Sequence, residues 1–317
     1  MAFLFEPPAS VQAEAVNALF RWSLLLCALI LTGICGALFL CFRKFRAPRN
    51  SSSAEQDDPP QIYGAKKLEV IWTLIPAIIL SFLAFFTIRG MVQVNPPAAE
   101  EHPEVVVAGH QWWWEVRYPD SGVVTANELV LPAGEELLIG LESADVVHSF
   151  WTPALAPKQD MIPGVQRHLW ITAPKPGVYA GRCAEFCGAQ HAGMLLRVEV
   201  LPRAEYDAWL ENQRQPAIAA SAEDNARISI GSGLFLSLTC SSCHAISGTD
   251  AHGDAAPDLS HFASRVSLAA GLRPNNPENL AAWLRDPSSI KAGVKMPNFH
   301  LADQEVQDLT AYLSSLE

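Results

Sequence analysis

The amino-acid sequence predicts a multi-domain membrane protein with a two-helix transmembrane hairpin, an all-β domain and a small all-α domain. Three observations lead to this prediction. Two uncharged apolar runs lie near the N-terminus, and short strand-like segments between Pro and Gly residues follow them. The last part of the chain then has apolar residues at helical spacing. With 317 residues, the chain has room for all three parts.

The hairpin consists of predicted membrane helices at 22–42 and 70–89. Both runs are long enough to cross a bilayer, and two buried core helices are the less favoured interpretation. The connecting loop, 43–69, carries six Lys and Arg residues, whereas the N-terminal segment, 1–21, carries only Arg21. The positive-inside rule therefore predicts a cytoplasmic loop and two extracytoplasmic termini. Because the N-terminus lacks a basic region, the first helix is expected to be retained.

The all-β domain is predicted at 90–211 and the all-α domain at 228–317. Short apolar segments separated by Pro and Gly are typical of an antiparallel sandwich or barrel. Residues 104–119, EVVVAGHQWWWEVRYP, are interpreted as one of its strands. A linker is predicted at 212–227, where Ala, Ser and Pro accumulate.

Charge and cysteine usage narrow the possible partners. The net charge of −11 argues against nucleic acid. Three of the seven cysteines lie in the first apolar run, and the other four form two close pairs, each beside a His. An oxidising compartment could convert either pair into a disulfide, but the neighbouring ligand-type residues favour cofactors.

The segment GRCAEFCGAQHAGM places Cys183, Cys187, His191 and Met194 at the spacing C-x3-C-x3-H-x2-M. Cys and Met are soft ligands, so this set favours copper over calcium or magnesium. Zinc accepts thiolates and imidazole but has little use for a thioether. A blue-copper centre uses one thiolate, so two thiolates predict a pair of bridged copper ions.

A binuclear copper site needs further ligands. One imidazole per copper would come from His191 and from His148 in DVVHSF, although His148 could also be a hydrogen-bonded structural residue. Met194 would then serve one copper, and the backbone carbonyl of Glu185 would serve the other. With these donors the ligand count is complete.

The motif CSSCH is the attachment signature of a c-type haem, with Cys240 and Cys243 as thioether residues and His244 as an axial ligand. A redox dithiol is the alternative, but the βαβ pattern expected around one is missing from this sequence. Met296 is the only Met after Cys243 and is the predicted second axial ligand. Its competitors are His252, His261 and His300.

Taken together, the hairpin and the motifs GHQWWW, DVVHSF, DMIPG and CAEFCGAQHAGM resemble subunit II of cytochrome c oxidases. The resemblance extends from the first membrane helix to about Trp209. The added CSSCH domain resembles the caa-type variant, in which a cytochrome c domain is fused to the C-terminus. The resemblance implies a cupredoxin-like Greek-key fold for the all-β domain. It also implies a binuclear copper centre on His148, Cys183, Glu185, Cys187, His191 and Met194.

The same resemblance implies three further roles. The Glu185 carboxylate would bind a magnesium ion shared with subunit I, and Trp112 would be the residue at which electrons arrive. Glu69 would stand at the entrance of a proton pathway. The competing interpretations are aromatic core packing for Trp112 and an interfacial position for Glu69.

The predicted function is that of an electron-transfer subunit of a haem-copper terminal oxidase in the bacterial inner membrane. Its partners would be subunit I and the other oxidase subunits, together with an external donor such as a cytochrome c or a cytochrome bc complex. Subunit I would reduce oxygen to water and pump protons. Two alternatives remain open: a copper-containing nitric oxide reductase, and a membrane-tethered cytochrome c whose cupredoxin domain binds zinc or is structural.

Overall fold

The computed structural model describes residues 7–46, 64–94, 102–217 and 226–317. The chain divides into two compact units, residues 14–96 and residues 97–317 together with 1–13. Most of the predicted cytoplasmic loop and residues 218–225 of the predicted linker lie outside the described residues.

The first unit is built on two long helices, α1 (Val11–Lys44) and α2 (Lys66–Val94). Both are long and apolar enough to cross a membrane. At 1.5 Å per residue, the 34 residues of α1 extend about 51 Å, which exceeds the roughly 30 Å of a bilayer's hydrocarbon core. The helices therefore continue beyond the predicted membrane runs 22–42 and 70–89. Arg43 and Lys44 form the last turn of α1, where cations also complement the helix dipole.

The second unit begins with a sandwich of two five-stranded sheets. One sheet has the order β3-β2-β1-β5-β8 and the other the order β4-β10-β9-β6-β7. The strands are β1 (Val105–His110), β2 (Trp113–Tyr118), β3 (Val123–Ala126), β4 (Glu128–Pro132), β5 (Glu136–Ser143), β6 (His148–Trp151), β7 (Gln159–Met161), β8 (Arg167–Thr172), β9 (Gly177–Cys183) and β10 (Leu195–Leu201). The pairs β1–β5 and β4–β10 are parallel, and the other neighbours are antiparallel. The predicted β-sandwich is confirmed.

One prediction within the sandwich is wrong. Residues 104–119 do not form a single strand but a hairpin, because the chain turns at Gln111 and Trp112 between β1 and β2. His110 pairs with Trp113 across this turn. The turn contains neither Gly nor Pro, so it lacks the usual sequence signal of a hairpin. As a consequence, Trp112 lies in the turn between β1 and β2 and packs at the edge of the buried core.

The sandwich core lies between the two sheets and is large. Trp114, Tyr118 and Phe150 are its bulkiest fully buried side chains, and aliphatic residues from both sheets surround them. Burial of such side chains contributes about 1.5–3 kcal/mol each. A helix, α3 (Arg203–Arg214), covers one edge, where Trp209 packs edge-on against Tyr118 at a ring distance of 5.2 Å. This packing makes the sandwich a rigid frame for its loops.

The C-terminal part of the second unit is helical, as predicted. Its helices are α4 (Ala226–Ser237), α5 (Pro277–Arg285), α6 (Pro287–Ile290) and α7 (Asp303–Leu313), and a short strand pair consists of β11 (Ser267–Leu268) and β12 (Arg273–Pro274). The pair α4–α7 is the closest helix packing. At Gly231 of α4, a Cβ atom would lie only 2.1 Å from the Asp308 carbonyl oxygen of α7. Glycine is therefore required there, because any side chain would push the helices apart.

We expect Gly231→Ala to destabilise the α4–α7 pair by about 1–3 kcal/mol, as overpacking in a tight core does. Gly233→Ala is the matched control, since a Cβ there meets no atom of the described residues within 4 Å. The control should be neutral or stabilising by about 0.5–1 kcal/mol, because Ala favours the helix. Hydrogen exchange of the α7 amides in the full chain measures both effects. Equal exchange rates in the two variants would contradict this account of the packing.

Candidate metal centre and haem attachment site

The first candidate site lies in the loop between β9 and β10. Cys183 is the last residue of β9, and Met194 directly precedes β10. A backbone hydrogen bond of 3.0 Å from the Cys183 N–H to the Met194 carbonyl closes the loop at its base. Cys183, Cys187 and Met194 are all buried. The loop is thus fixed at both ends by adjacent antiparallel strands, with its sulfur atoms turned inward.

The strand β6 adds an imidazole to this loop. Phe150 of β6 pairs with Cys183 of β9, which brings His148 beside the loop. The Nδ1 atom of the fully buried His148 lies 3.8 Å from Cys183 Sγ. The donor atoms of His148, Cys183 and Cys187 all lie within 4.8 Å of one another. This spacing is compact enough for metal ions to bridge them.

The remaining predicted ligands complete the cluster. Cys187 Sγ lies 3.7 Å from His191 Nδ1 and 3.9 Å from Met194 Sδ. Cys183 Sγ lies 3.2 Å from the carbonyl oxygen of Glu185. The structure therefore brings together all six residues that were predicted to bind copper, with two sulfur atoms at the centre.

The pKa values of the two thiols shift in opposite directions. The pKa of Cys183 is lowered to about 3, mainly because Cys187 donates a hydrogen bond to its thiolate, with a further contribution from His148. The pKa of Cys187 is raised, because it keeps the proton that it donates to Cys183. Burial opposes protonation of His148, but the hydrogen bonds to Cys183 and Asp145 raise its pKa overall. Metal binding at such a site releases protons, since thiolates and neutral imidazole are the ligand forms.

Asp145 is a functional residue that the sequence analysis missed. Its Oδ1 atom lies 2.9 Å from His148 Nε2, so it fixes the imidazole with Nδ1 directed at Cys183. Its carboxylate also accepts hydrogen bonds of 2.8 Å from the N–H groups of Gln111 and Val146. Burial alone would raise the pKa of Asp145, but these hydrogen bonds lower it. An acidic residue three positions before a candidate ligand His was the available signal in the sequence.

Trp112 is in direct contact with the ligand loop. Its indole Nε1 donates a hydrogen bond of 3.0 Å to the Cys187 carbonyl, which also accepts one of 2.8 Å from Gln111 Nε2. Gly188 follows at a φ of +117°, and a Cβ there would lie 3.0 Å from the Trp112 ring. Glycine thus allows the loop to approach the indole closely.

The CSSCH motif lies beyond α4, with Cys240 in a short 3-10 turn and His244 directly after Cys243. The Nδ1 atom of His244 lies 2.6 Å from the Pro257 carbonyl oxygen. Because Nδ1 is engaged, Nε2 is the nitrogen that can bind iron. Burial lowers the pKa of His244, which favours the neutral form that ligates metals.

The predicted second axial ligand, Met296, is half-buried and packs against the same apolar core as Cys240. Of its competitors, His261 is buried and its Nε2 lies 3.2 Å from the Gln215 carbonyl oxygen. His252 and His300 are exposed. Packing thus favours Met296.

The resemblance also implies roles for the carboxylates of Glu185 and Glu69, which take no part in the contacts described above. Glu185 is exposed, and its Oε1 accepts a hydrogen bond of 3.3 Å from the Phe186 N–H. Glu69 lies in the first turn of α2. An exposed carboxylate beside the ligand loop is accessible to a second subunit.

The fold and these two sites define a class, that of membrane-anchored electron-transfer proteins. The chain matches three protein families: "Cytochrome C oxidase subunit II, transmembrane domain" over residues 1–89, "Cytochrome C oxidase subunit II, periplasmic domain" over residues 121–201, and "Cytochrome c" over residues 228–317. These matches fit a membrane protein with an extracellular domain. They also identify the sandwich as cupredoxin-like and indicate copper for it and haem c for the helical domain.

Relatives of the whole chain agree with these matches. The chain is 35% identical to cytochrome c oxidase subunit 2 of Alkalihalophilus pseudofirmus, over 98% of this chain and 90% of the relative. It is 36% identical to that of Bacillus sp. strain PS3 and 32% identical to that of Bacillus subtilis, in each case over 85% of this chain and 80% of the relative. The chain belongs to the cytochrome c oxidase subunit II family. It is an electron-transfer subunit of a haem-copper terminal oxidase and partners with subunit I.

We expect Asp145→Ala to weaken copper binding about 10–100-fold, because His148 loses the partner that orients its ring. Competition with a copper chelator measures this affinity. Lys295→Met is the matched control, since Lys295 Nζ contacts the other oxygen of Asp145 at 3.4 Å and leaves His148 untouched. The copper affinity of Asp145→Asn should lie between those of Asp145→Ala and the wild type, because the amide oxygen of Asn can still accept a hydrogen bond from His148 Nε2–H. Wild-type affinity in Asp145→Ala would refute an orienting role.

Proposed function

We propose that this chain accepts electrons at a covalent haem c and delivers them through a binuclear copper centre to subunit I. There oxygen is reduced to water and protons are pumped. One observation carries the proposal: two imidazoles, a thioether and a backbone carbonyl oxygen converge around the two buried cysteine sulfur atoms of a loop held by adjacent strands. The haem and the copper pair, when bound, each supply a reversible one-electron carrier.

The donor set fits two coppers better than one zinc ion. The thioether of Met194 adds a soft ligand for which zinc has little use, and it lies 3.9 Å from a cysteine sulfur. His148 lies against Cys183, whereas His191 lies against Cys187, so each thiol has an imidazole beside it. This arrangement supports two copper ions, for each of which one imidazole and the shared thiols would be available, over a single zinc ion.

Rigidity of the ligands suits electron transfer. The loop is closed at its base by the Cys183–Met194 hydrogen bond, and Asp145 holds His148. When ligands keep their positions in both oxidation states, the reorganisation energy of electron transfer is small. The surrounding apolar core excludes water from the sulfur atoms and reinforces this effect.

Trp112 is the proposed residue through which electrons reach the copper loop. Its indole is linked to the carbonyl of Cys187 by a hydrogen bond, so an aromatic ring is coupled to a copper ligand through one contact. The interpretation as simple core packing fits Trp114 better, because Trp114 is fully buried between the sheets. Trp112 is also buried beside this core, but it lies in the turn between β1 and β2, where its indole reaches the copper loop.

In the haem domain, Cys240 and Cys243 would form the thioether bonds, and His244 and Met296 would bind the iron. The Pro257 carbonyl orients His244, and glycine at position 253 lets the chain pass against Cys243, where a Cβ would lie 2.5 Å from its carbonyl carbon. A Met and His ligand pair suits a carrier of relatively high potential.

The location and partners follow from the family and the hairpin. We place the protein in the bacterial inner membrane, with both termini and both redox domains on the extracytoplasmic side. An external cytochrome c or cytochrome bc complex would supply electrons. Glu185 would bind magnesium at the subunit I interface, and Glu69, in the first turn of α2, would serve the proton pathway.

We predict that the copper-loaded full chain gives an electron paramagnetic resonance spectrum of one electron shared by two coppers. Cys187→Ser should convert it to a single-copper spectrum, because one bridging sulfur is lost. Cys35→Ser, in α1, is the matched control and should leave the spectrum unchanged. A spectrum with haem signals alone, with zinc bound instead, would favour a tethered cytochrome.

We predict that Met296→His lowers the midpoint potential of the haem, since replacing a thioether by imidazole favours the oxidised iron. Potentiometric titration of the full chain measures the shift. His300→Ala should leave the potential unchanged, because His300 is exposed. An unchanged potential in Met296→His would show that Met296 does not bind the iron.

A further inference from the structure

A buried lysine of the haem domain contacts the copper domain. Lys291 is only 3% exposed, and its ammonium group donates hydrogen bonds to the carbonyls of Trp112 (2.6 Å), Gly193 (3.0 Å) and Ala269 (3.2 Å). A lysine has three N–H donors, and here each finds an acceptor. Burial lowers its pKa to about 8, which still leaves the group mostly charged at neutral pH. A buried charge is tolerated only when it is satisfied in this way.

The segment around Lys291 covers the electron-accepting tryptophan. Gly293 lies against the Trp112 ring, where a Cβ would be 3.7 Å from it. The Ala292 carbonyl accepts a hydrogen bond of 2.8 Å from Gln190, directly before the ligand His191. Trp112 is 9% exposed. The segment that leads to the haem ligand Met296 thus lies on the indole.

A second loop of the haem domain docks beside it. Ala269, Ala270 and Gly271 have consecutive positive φ angles of 55°, 59° and 84°. Such a conformation is strained for alanine and persists when surrounding contacts fix it. The Ala270 carbonyl accepts a 3.2 Å hydrogen bond from the Leu195 N–H. Lys291 holds the Gly193 carbonyl, so the haem domain contacts both residues that flank the ligand Met194.

The copper domain contributes a contact of its own. Glu128 of β4 accepts hydrogen bonds from the Val266 N–H at 2.9 Å and the Ser267 N–H at 3.3 Å. These two amides and that of Leu195 are therefore bonded across the interface rather than within one domain. They report specifically on docking.

We propose that Lys291 is the residue that seats the haem domain on Trp112 and the Met194 end of the copper loop, as a standing interface within the chain. Trp112 is then an internal contact, closed to a separate carrier, and an external donor must reach the haem domain elsewhere on its surface. The docking stands on the contacts alone, whereas its role in electron transfer rests on the proposed function.

The test is hydrogen exchange of the holo, full-length chain with Lys291→Met. Exchange at the Leu195, Val266 and Ser267 amides should rise about tenfold or more, since losing one hydrogen bond to a charged donor already corresponds to that factor. Electron transfer from haem to copper should slow as the docked fraction falls. Lys295→Met is the matched control: it removes the same charge from the same segment, but that side chain is 67% exposed and contacts the copper domain through a solvent-exposed ion pair with Asp145 at 3.4 Å, so its effect should be much smaller than that of Lys291→Met.

Amides of α7, such as those of Val306 and Leu309, should keep their protection and show that the haem domain remains folded. Wild-type protection at the interface in Lys291→Met, or equal loss in Lys295→Met, would overturn the proposal. If α7 also loses protection in Lys291→Met, the variant Glu128→Ala tests the docking instead, because it weakens the interface from the copper domain. Retained protection of the Leu195 amide in Glu128→Ala would then overturn the proposal. If docking is intact but Trp112→Phe leaves the rate of electron transfer unchanged, this result would instead count against the proposed electron route.

Discussion

Two thiols held side by side in a buried loop are the constraint on which this structure depends. A pair of ionisable sulfur atoms out of water is costly unless protons or metal ions compensate it. In this protein the pKa of Cys183 is lowered and that of Cys187 is raised, and an imidazole lies beside each thiol. The sandwich keeps these groups together.

The sandwich holds the cluster through strand neighbours. Because β9 lies between β6 and β10 in one sheet, the residue that ends β9 is close both to His148 and to the start of β10. The large aromatic core beneath, with Trp114 and Phe150, resists any change in the strand spacing. Loops on such a frame can be short and still place side chains accurately.

Much of this arrangement can be predicted from the sequence, because it depends on local patterns of residue type and spacing. The β-sandwich, the CSSCH motif and the two apolar helices all follow from spacing and composition. The hairpin at Trp112 was not predicted, since Gln111 and Trp112 carry no turn signal and alternate like strand residues. Asp145 could have been found from its place before His148. Lys291 could not, because its acceptors belong to a turn, a loop and a strand pair that are distant in sequence and meet only in the fold.

The contacts around Asp145 show that the two redox sites share charges as well as a surface. Lys295, next to the proposed haem ligand Met296, lies 3.4 Å from the carboxylate that holds His148, a proposed copper ligand. Two residues, Lys295 and Asp145, therefore connect Met296 to His148.

Attachment of the carrier to its acceptor changes the kinetics of electron delivery. A free carrier must find the copper domain by diffusion, at a rate that depends on its abundance and on the ionic strength of the medium. A carrier on the same chain is present at an effective concentration on the order of millimolar, whatever the surroundings contain. Electron transfer from the haem to the copper pair would then not depend on how far an external medium dilutes soluble proteins or screens their charges.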